Sequence, residues 1–209
     1  CDSKEETEKY VQVGDYAGFI GNWYEMKGDK ITAKTFDDRA GCYAMIKALE
    51  KNDGSGPNDV YYVFSVQEEV GCRGAVTSAE RIRPDIGVSI DVSPDHYYPN
   101  DLTGANKVGA GVGVTIGNPS AMLDEYLVNE MLACCQENEI PYQRDVMDRG
   151  GTDASSINQS GIGVRVAGIS IIDRFPHSQS SVISKKDLEA TIDLIDKYSK
   201  RTFRFEEEW

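Results

Sequence analysis

The amino-acid sequence predicts an α/β protein, a three-layer α/β/α sandwich built around a mostly parallel mixed sheet. Apolar, β-branched runs typical of buried strands occur at residues 60–66, 86–92 and 163–172. Segments with helical character lie between and after these runs, at residues 37–51, 74–82, 119–136 and 185–195. Strands that alternate with helices in this way indicate a sheet with helices on both faces.

The first 33 residues have a different pattern from the rest. Short strands are predicted at residues 11–13, 16–20, 23–26 and 31–33, with turns at Gly14, Gly21 and Gly28 between them. Hairpins this short are typical of a small β domain, and they are not stable by themselves. We therefore divide the chain into residues 1–33 and a main domain of residues 34–209.

The elements of the main domain follow from local signals. Residues 37–51 carry Cys42, Met45, Ile46 and Leu49 at helical spacing. The glycine-rich residues 107–116 predict one or two strands, and Pro119 is expected to open the next helix because its missing N–H costs little there. Residues 142–147 predict a further strand. Ser184 is the expected N-cap of the last helix, and an acidic tail follows at residues 206–208.

Composition excludes several classes of function. The net charge of −13 argues against nucleic acid and anionic membrane surfaces as partners, because both need a basic surface. No apolar run is long enough to span a membrane. The five cysteines are odd in number and form no CxxC pattern, so reduced thiols in a cytoplasmic protein are expected. The absence of an initiator Met before Cys1 suggests a truncated or processed chain.

Carboxylates beside predicted buried strands are the first candidate functional residues. The Glu68–Glu69 pair follows residues 60–66, Asp91 lies inside residues 86–92, and Asp37 precedes a helix. A carboxylate in such a place costs several kcal/mol, roughly, unless it is paired, protonated or bound to a metal. A helix cap or an ion pair is the alternative for each acid taken singly.

The chain has two histidines, and we interpret them differently. His96 lies among Pro94, Tyr97 and Pro99 and is assigned a structural role. His177 follows the predicted strand at residues 163–172, and Pro176 would stiffen the approach to it. His177 is therefore the candidate functional histidine.

Five motifs in order resemble those of the tetrahedral-shell aminopeptidases, the family of glutamyl and deblocking aminopeptidases. Some members of that family are described as endoglucanases. The motifs are residues 34–42 (KTFDDRAGC), 64–75 (FSVQEEVGCRGA), 91–94 (DVSP), 150–154 (GGTDA) and 174–178 (RFPHS). Each motif is weak alone, but five in the right order are specific.

The resemblance implies an aminopeptidase that hydrolyses the N-terminal bond of peptides with metal-activated water. Two divalent ions, zinc or cobalt and also manganese, would share Asp37 as a bridging ligand. Glu69, Asp91 and His177 match further ligands, and Glu68 matches the general base. Asp153 matches a residue of the substrate cleft, with a cap of the next helix as the alternative.

The chain also departs from the family pattern. Members begin with a segment that carries a His-x-Asp motif, followed by an inserted β domain that contributes to dimers, which build a larger shell. No histidine precedes His96, and residues 1–33 resemble the last strands of that insertion. Asp37, Glu69 and His177 would complete one ion site, whereas the other keeps only Asp37 and Asp91. We expect one ion or none, and weak or no activity, from this chain alone.

Two other classes of function stay open. A glycoside hydrolase also uses two carboxylates, but it needs no bridging Asp and no imidazole. A non-catalytic fragment or pseudoenzyme is the third possibility.

Overall fold

A computed structural model of the chain describes residues 1–99 and 103–205, so the acidic tail at residues 206–208 lies outside the described part. Its helices are α1 (Lys4–Thr7), α2 (Phe36–Lys51), α3 (Arg73–Ile82), α4 (Glu125–Glu137), α5 (Ala154–Asn158) and α6 (Lys185–Ser199). Its strands are β1 (Tyr24–Glu25), β2 (Lys30–Ala33), β3 (Ile86–Pro94), β4 (Val112–Asn118), β5 (Ala121–Met122), β6 (Tyr142–Val146), β7 (Arg165–Asp173) and β8 (Ser181–Ser184).

The central sheet is mixed and mostly parallel, as predicted. Strands β3 and β7 run parallel along their full length, and β4 and β6 are also parallel. Shorter antiparallel ladders join β4 to β7 and to β5. Because β3 and β7 end at the same edge, the residues that follow them come close together.

Helices cover the sheet on both faces. Helices α2, α4 and α6 pack together on one face, where Leu127, Met131, Ile169 and Leu194 are fully buried. Helix α5 covers the other face of the sheet, and α3 packs against α5. Gly87 in β3 lets α5 approach the sheet closely. A Cβ atom at Gly87 would lie 2.4 Å from Cγ2 of Ile157 in α5. The three-layer α/β fold is therefore confirmed.

A small antiparallel sheet of β1, β2 and β8 lies beside the start of α2. Its buried Ile31, Ala33 and Ile183 form a second core cluster with Phe36 and Ala40 of α2 and Ile171 of β7. Strand β2 thus joins residues 30–33 to the main body. The division of the chain at residue 33 stays a prediction.

The predicted strands at residues 11–13 and 16–20 are wrong. These residues form no ladder in the described structure, and Val13 and Tyr16 are fully exposed. Alternating apolar residues favour a strand only where a neighbouring backbone supplies hydrogen bonds. The predicted strands nearer the main body, at residues 23–26 and 31–33, do form in part as β1 and β2.

The buried strand predicted at residues 60–66 is also wrong. Its composition is that of a strand, but residues 60–65 form no ladder with any described residue, and Tyr61 and Val66 are about two-thirds exposed. Apolar content indicates strand propensity, whereas burial depends on what packs against both faces.

Two smaller expectations need correction around β4. Pro119 lies in the turn between β4 and β5, and α4 begins at Glu125, capped by Asp124, whose side chain accepts a hydrogen bond from Leu127 N. Strand β4 begins only at Val112, because the preceding residues form a loop with Gly111 at φ +102°. Helices α2, α3 and α6 were predicted correctly, and Ser184 Oγ accepts the expected hydrogen bond from Asp187 N.

None of the helices in residues 1–99 and 103–205 is both long and apolar enough to cross a membrane.

Candidate metal centre

Three side chains from distant parts of the sequence meet beside the small sheet. Asp37 lies at the start of α2, Glu69 in the loop before α3, and His177 in the loop between β7 and β8. Nε2 of His177 lies 2.8 Å from Oδ2 of Asp37 and 3.3 Å from Oε2 of Glu69. One ligand atom of each residue lies within 4.8 Å of the other two. Two carboxylates and an imidazole are thus directed at one point.

The backbone at these positions adopts conformations that residues with side chains rarely take. Such residues favour negative φ, and a left-handed conformation costs roughly 1–2 kcal/mol. Five left-handed residues flank or belong to the three segments: Thr35 (φ 62°), Gln67 (59°), Cys72 (52°), Phe175 (67°) and His177 (57°). Strain of this kind clusters at functional sites, where the surrounding structure holds it in place.

A second group of ligand-type atoms lies next to the first. Cys72 Sγ donates to Oε1 of Glu68 over 3.3 Å, and Asp153 completes the group. Ser65 Oγ donates to Oδ2 of Asp153 over 2.5 Å, while Oδ1 of Asp153 is buried without a partner in the described structure. Burial raises the pKa of Glu68, with the Asp153 carboxylate adding to the effect. The Cys72 hydrogen bond opposes this rise.

Two further carboxylates lie deeper. Oδ1 of Asp38 accepts a hydrogen bond from Gly41 N, and burial together with the nearby Asp37 raises the pKa of Asp38 to about 8. Burial and the carboxylates of Asp38 and Asp37 raise the pKa of Asp91 well above its usual range. Its Oδ1 accepts from Val92 N. Buried carboxylates whose charges repel one another favour either protonation or a bound cation.

The structure places the predicted site residues in three positions. Asp37, Glu69 and His177 meet directly, with Glu68 adjacent. Asp91 lies outside this three-residue group, although the charges of Asp38 and Asp37 add to the effect of burial in raising its pKa. Asp153 lies with Glu68, and its side chain makes no cap hydrogen bond to α5.

His96 has a structural hydrogen bond, since its Nδ1 accepts from Asn106 N over 3.1 Å. The sequence reasoning assigned no role to Asp38, Cys72 or Asp173. Burial raises the pKa of Asp173 to about 7, and its carboxylate accepts from Ser181 Oγ and Val182 N at the base of the His177 loop. The position of Asp173 at the end of a buried strand is a sequence signal that could have identified it as a candidate.

The donor set fits a divalent ion of the zinc, cobalt or manganese type. Mixed carboxylate and imidazole ligands suit these ions. Ligand atoms bound at about 2.1 Å in a tetrahedral site lie about 3.4 Å apart. The 3.3 Å separation of His177 Nε2 and Glu69 Oε2 matches that spacing. The 2.8 Å distance between His177 Nε2 and Asp37 Oδ2 would have to lengthen slightly to admit an ion.

A cavity of about 360 Å³ opens directly above these ligand atoms. Its lining includes Asp37, Glu69 and His177, the cation Lys34 and the aromatic side chains of Phe19 and Phe36. The candidate centre is therefore accessible to a small ligand.

The fold and the site together define an α/β protein with a carboxylate–imidazole centre at a sheet edge. The chain belongs to the M42 glutamyl aminopeptidase family, whose model matches residues 1–194. Membership of this family implies divalent metal ions.

Individual relatives give the same assignment. The chain is 33% identical over 196 residues to lysyl aminopeptidase of Pyrococcus furiosus, with 92% of this chain and 55% of that protein covered. It matches the structure of an aminopeptidase from the archaeon Desulfurococcus kamchatkensis with a TM-score of 0.89 and 36% identity, over 96% of this chain and 57% of that one.

The Pyrococcus horikoshii TET1 peptidase, which can assemble into a tetrahedron or a large octahedral shell, matches with a TM-score of 0.83 and 29% identity, over 96% of this chain and 59% of that one. A Thermotoga maritima protein described as an endoglucanase matches with a TM-score of 0.71 and 29% identity, over 94% and 57%. The chain thus spans between a half and two thirds of the length of these proteins.

Proposed function

We propose that this chain carries the greater part of the active site of a metal-dependent aminopeptidase that hydrolyses the N-terminal peptide bond. The observation that carries the proposal is the convergence of Asp37, Glu69 and His177 beside Glu68. The family and the aminopeptidases among its relatives support the same reaction.

Asp37, Glu69 and His177 would hold one divalent ion, and Asp37 and Asp91 would contribute ligands to a second. Bound there, zinc, cobalt or manganese supplies Lewis acidity, which polarises a peptide carbonyl and lowers the pKa of water towards about 7. With two of its ligands in this chain, the second position would bind weakly. We propose that the chain alone binds one ion, at the Asp37–Glu69–His177 position, and has weak turnover.

Glu68 would act as the general base. Its carboxylate lies outside the Asp37–Glu69–His177 group but next to it, so it can take a proton from the attacking water. The same group would then return the proton to the leaving amine. The raised pKa of Glu68 suits this role, because the carboxylate must hold the proton between the two steps.

Asp153 would take part in substrate binding. One of its carboxylate oxygens lies with Glu68 and Cys72, Oδ2 accepts a hydrogen bond from Ser65 Oγ, and the buried Oδ1 has no hydrogen-bond partner in the described structure. A carboxylate at this position suits the positively charged amino terminus of a peptide.

The assembly of the TET1 peptidase into a tetrahedron or a large octahedral shell supports a homo-oligomer here too. We propose that dimers are the units of such a shell. The five cysteines form no disulfide, which suits the cytoplasmic location that we propose.

The test is hydrolysis of lysyl- and glutamyl-4-nitroanilide by the chain with added Zn²⁺, Co²⁺ or Mn²⁺, alongside a Glu68→Gln control. Weak, metal-dependent release of nitroaniline that stops with EDTA is expected. The likeness to a protein described as an endoglucanase makes β-glucan the competing substrate. Cleavage of β-glucan that EDTA leaves unchanged would overturn the proposal.

A third outcome would support the non-catalytic alternative over both enzymes. Stoichiometric ion binding without turnover, in this chain and in a version extended to the length of the relatives, would show that the site binds metal but catalyses no peptide hydrolysis.

A further inference from the structure

His177 belongs to a loop whose backbone conformation needs stabilising contacts. The loop joins the end of β7 to Ser181, the first residue of β8, and both Phe175 and His177 adopt left-handed φ values, 67° and 57°. The imidazole is also 71% exposed, so core packing does not fix it. Apart from its own contacts with Asp37 and Glu69, the imidazole therefore depends on contacts elsewhere in the loop for its position.

One of these contacts is an ion pair between Arg174 and Asp95. Nε and Nη2 of Arg174 both reach Oδ2 of Asp95, over 2.6 Å and 2.5 Å. The Asp95 side chain is completely buried, and its Oδ1 accepts from Tyr97 N over 3.0 Å. Asp95 N in turn donates to Asp173 O over 2.8 Å. The carboxylate is thus fixed before it meets the guanidinium.

The same guanidinium extends the contact toward His177. It lies over the ring of Tyr98, 5.4 Å from the centroid, and donates to Tyr97 O over 3.3 Å. The Tyr98 ring packs edge-on against Phe175 with centroids 4.9 Å apart. Phe175 is two residues from His177. The contacts from Asp95 through Arg174 and Tyr98 therefore end in the loop that carries the imidazole.

We propose that Arg174, held by Asp95, is a positioning residue for His177. The pair fixes the loop so that Nε2 of His177 faces Asp37 and Glu69. Neither Arg174 nor Asp95 touches the ligand atoms in the described structure, and their effect passes through Tyr98 and Phe175. This inference rests on the proposed function, because it gives His177 the role of an ion ligand.

The deciding variant is Arg174→Lys. Lysine keeps the charge beside the buried Asp95 but loses the planar group with two donors and the face that covers Tyr98. Arg165→Lys is the matched control: Arg165 pairs with Asp124 over 2.9 Å, its side chain is 29% exposed against 32% for Arg174, and it lies away from the three ligand residues.

Two readouts are needed. In metal-free protein, the imidazole resonance of His177, assigned with His177→Gln, should shift or broaden in Arg174→Lys and stay unchanged in Arg165→Lys. In Co²⁺ titrations followed by visible absorption, Arg174→Lys should raise the dissociation constant about tenfold and change the band shape, because partners behind a metal ligand are worth about 10–100-fold in affinity. Thermal unfolding should show that Arg174→Lys is folded.

An unchanged His177 resonance together with an unchanged Co²⁺ dissociation constant in Arg174→Lys would overturn the inference, as would equal changes in Arg165→Lys. If Arg174→Lys does not fold, the same two readouts are measured on Phe175→Leu. The Phe175 side chain is 45% exposed, so its replacement should leave the core packing intact. A Phe175→Leu protein identical to the wild type in both readouts would contradict the inference. If the wild type takes up no Co²⁺, the proposed function fails, and the metal-free resonance alone decides the positioning role.

Discussion

Nε2 of His177 lies 2.8 Å from Oδ2 of Asp37, although the two residues are far apart in the sequence. Burial and the Glu69 carboxylate raise the pKa of Asp37, whereas His177 opposes that rise. The imidazole is therefore the favourable partner in a group of carboxylates. A divalent cation in the same place would stabilise all three side chains.

Replacing the imidazole should abolish tight ion binding. We expect His177→Gln to weaken Zn²⁺ binding by at least about 100-fold, since even partners behind a ligand contribute about 10–100-fold. Isothermal titration calorimetry measures this. His96→Gln is the matched control, because His96 bonds to Asn106 instead. Equal loss in both variants, or none in His177→Gln, would show that His177 is not a ligand.

Glu68 and Glu69 should differ although they are neighbours. Glu68→Gln should leave the Zn²⁺ dissociation constant unchanged and lower any turnover by about 10²–10⁴-fold, the usual contribution of a general base. Glu69→Gln should weaken ion binding, because it removes a carboxylate of the three-residue group. Calorimetry and nitroanilide assays on both variants separate the two roles. Reversed effects would exchange the assignments.

Asp173 should make the metal-free fold less stable as pH rises. Its folded pKa of about 7 lies above the usual value near 3.9, so only the unfolded state loses the proton between those values. Stability is full below about pH 4 and falls by about 2–4 kcal/mol towards pH 7. Urea unfolding with EDTA should show a flatter pH profile for Asp173→Asn, in which the amide keeps an acceptor for Val182 N. An equally steep profile would show that another group causes the loss.

Gly111 should be irreplaceable in the loop before β4. Its φ is +102°, and an added Cβ would lie 2.3 Å from the Pro141 backbone. We expect Gly111→Ala to lower the free energy of unfolding by about 2–3 kcal/mol. Gly14→Ala shares a φ near +104° but meets open space, so its cost should stay below about 1 kcal/mol. Similar losses of stability for the two variants in urea unfolding would mean that backbone strain, and not the contact with Pro141, accounts for the cost.

Much of the fold was predictable because local signals and burial agree. Helix α6 has a Ser184 cap and apolar residues at helical spacing, and it forms where expected. The run at residues 60–66 shows the limit of such signals, because composition cannot reveal whether a neighbouring strand is present. Pro119 shows another limit: proline suits the first turn of a helix and also a tight turn, and the sequence does not distinguish them.

The candidate site was predictable in part. Motif resemblance named Asp37, Glu69 and His177, which the fold brings together. The buried Asp38 was not assigned, because only tertiary packing decides which member of an acidic pair points inward. The Asp95–Arg174 pair also depends on a contact between two loops that no spacing in the sequence indicates.

Anomalous diffraction at the zinc edge, from crystals of the chain grown with Zn²⁺, tests the central claim most directly. We predict a peak about 2.0–2.2 Å from Nε2 of His177 and from a carboxylate oxygen of both Asp37 and Glu69, with Glu68 unligated. A map with no peak among these residues, or with Zn²⁺ bound elsewhere while His177 points into solvent, would contradict the account.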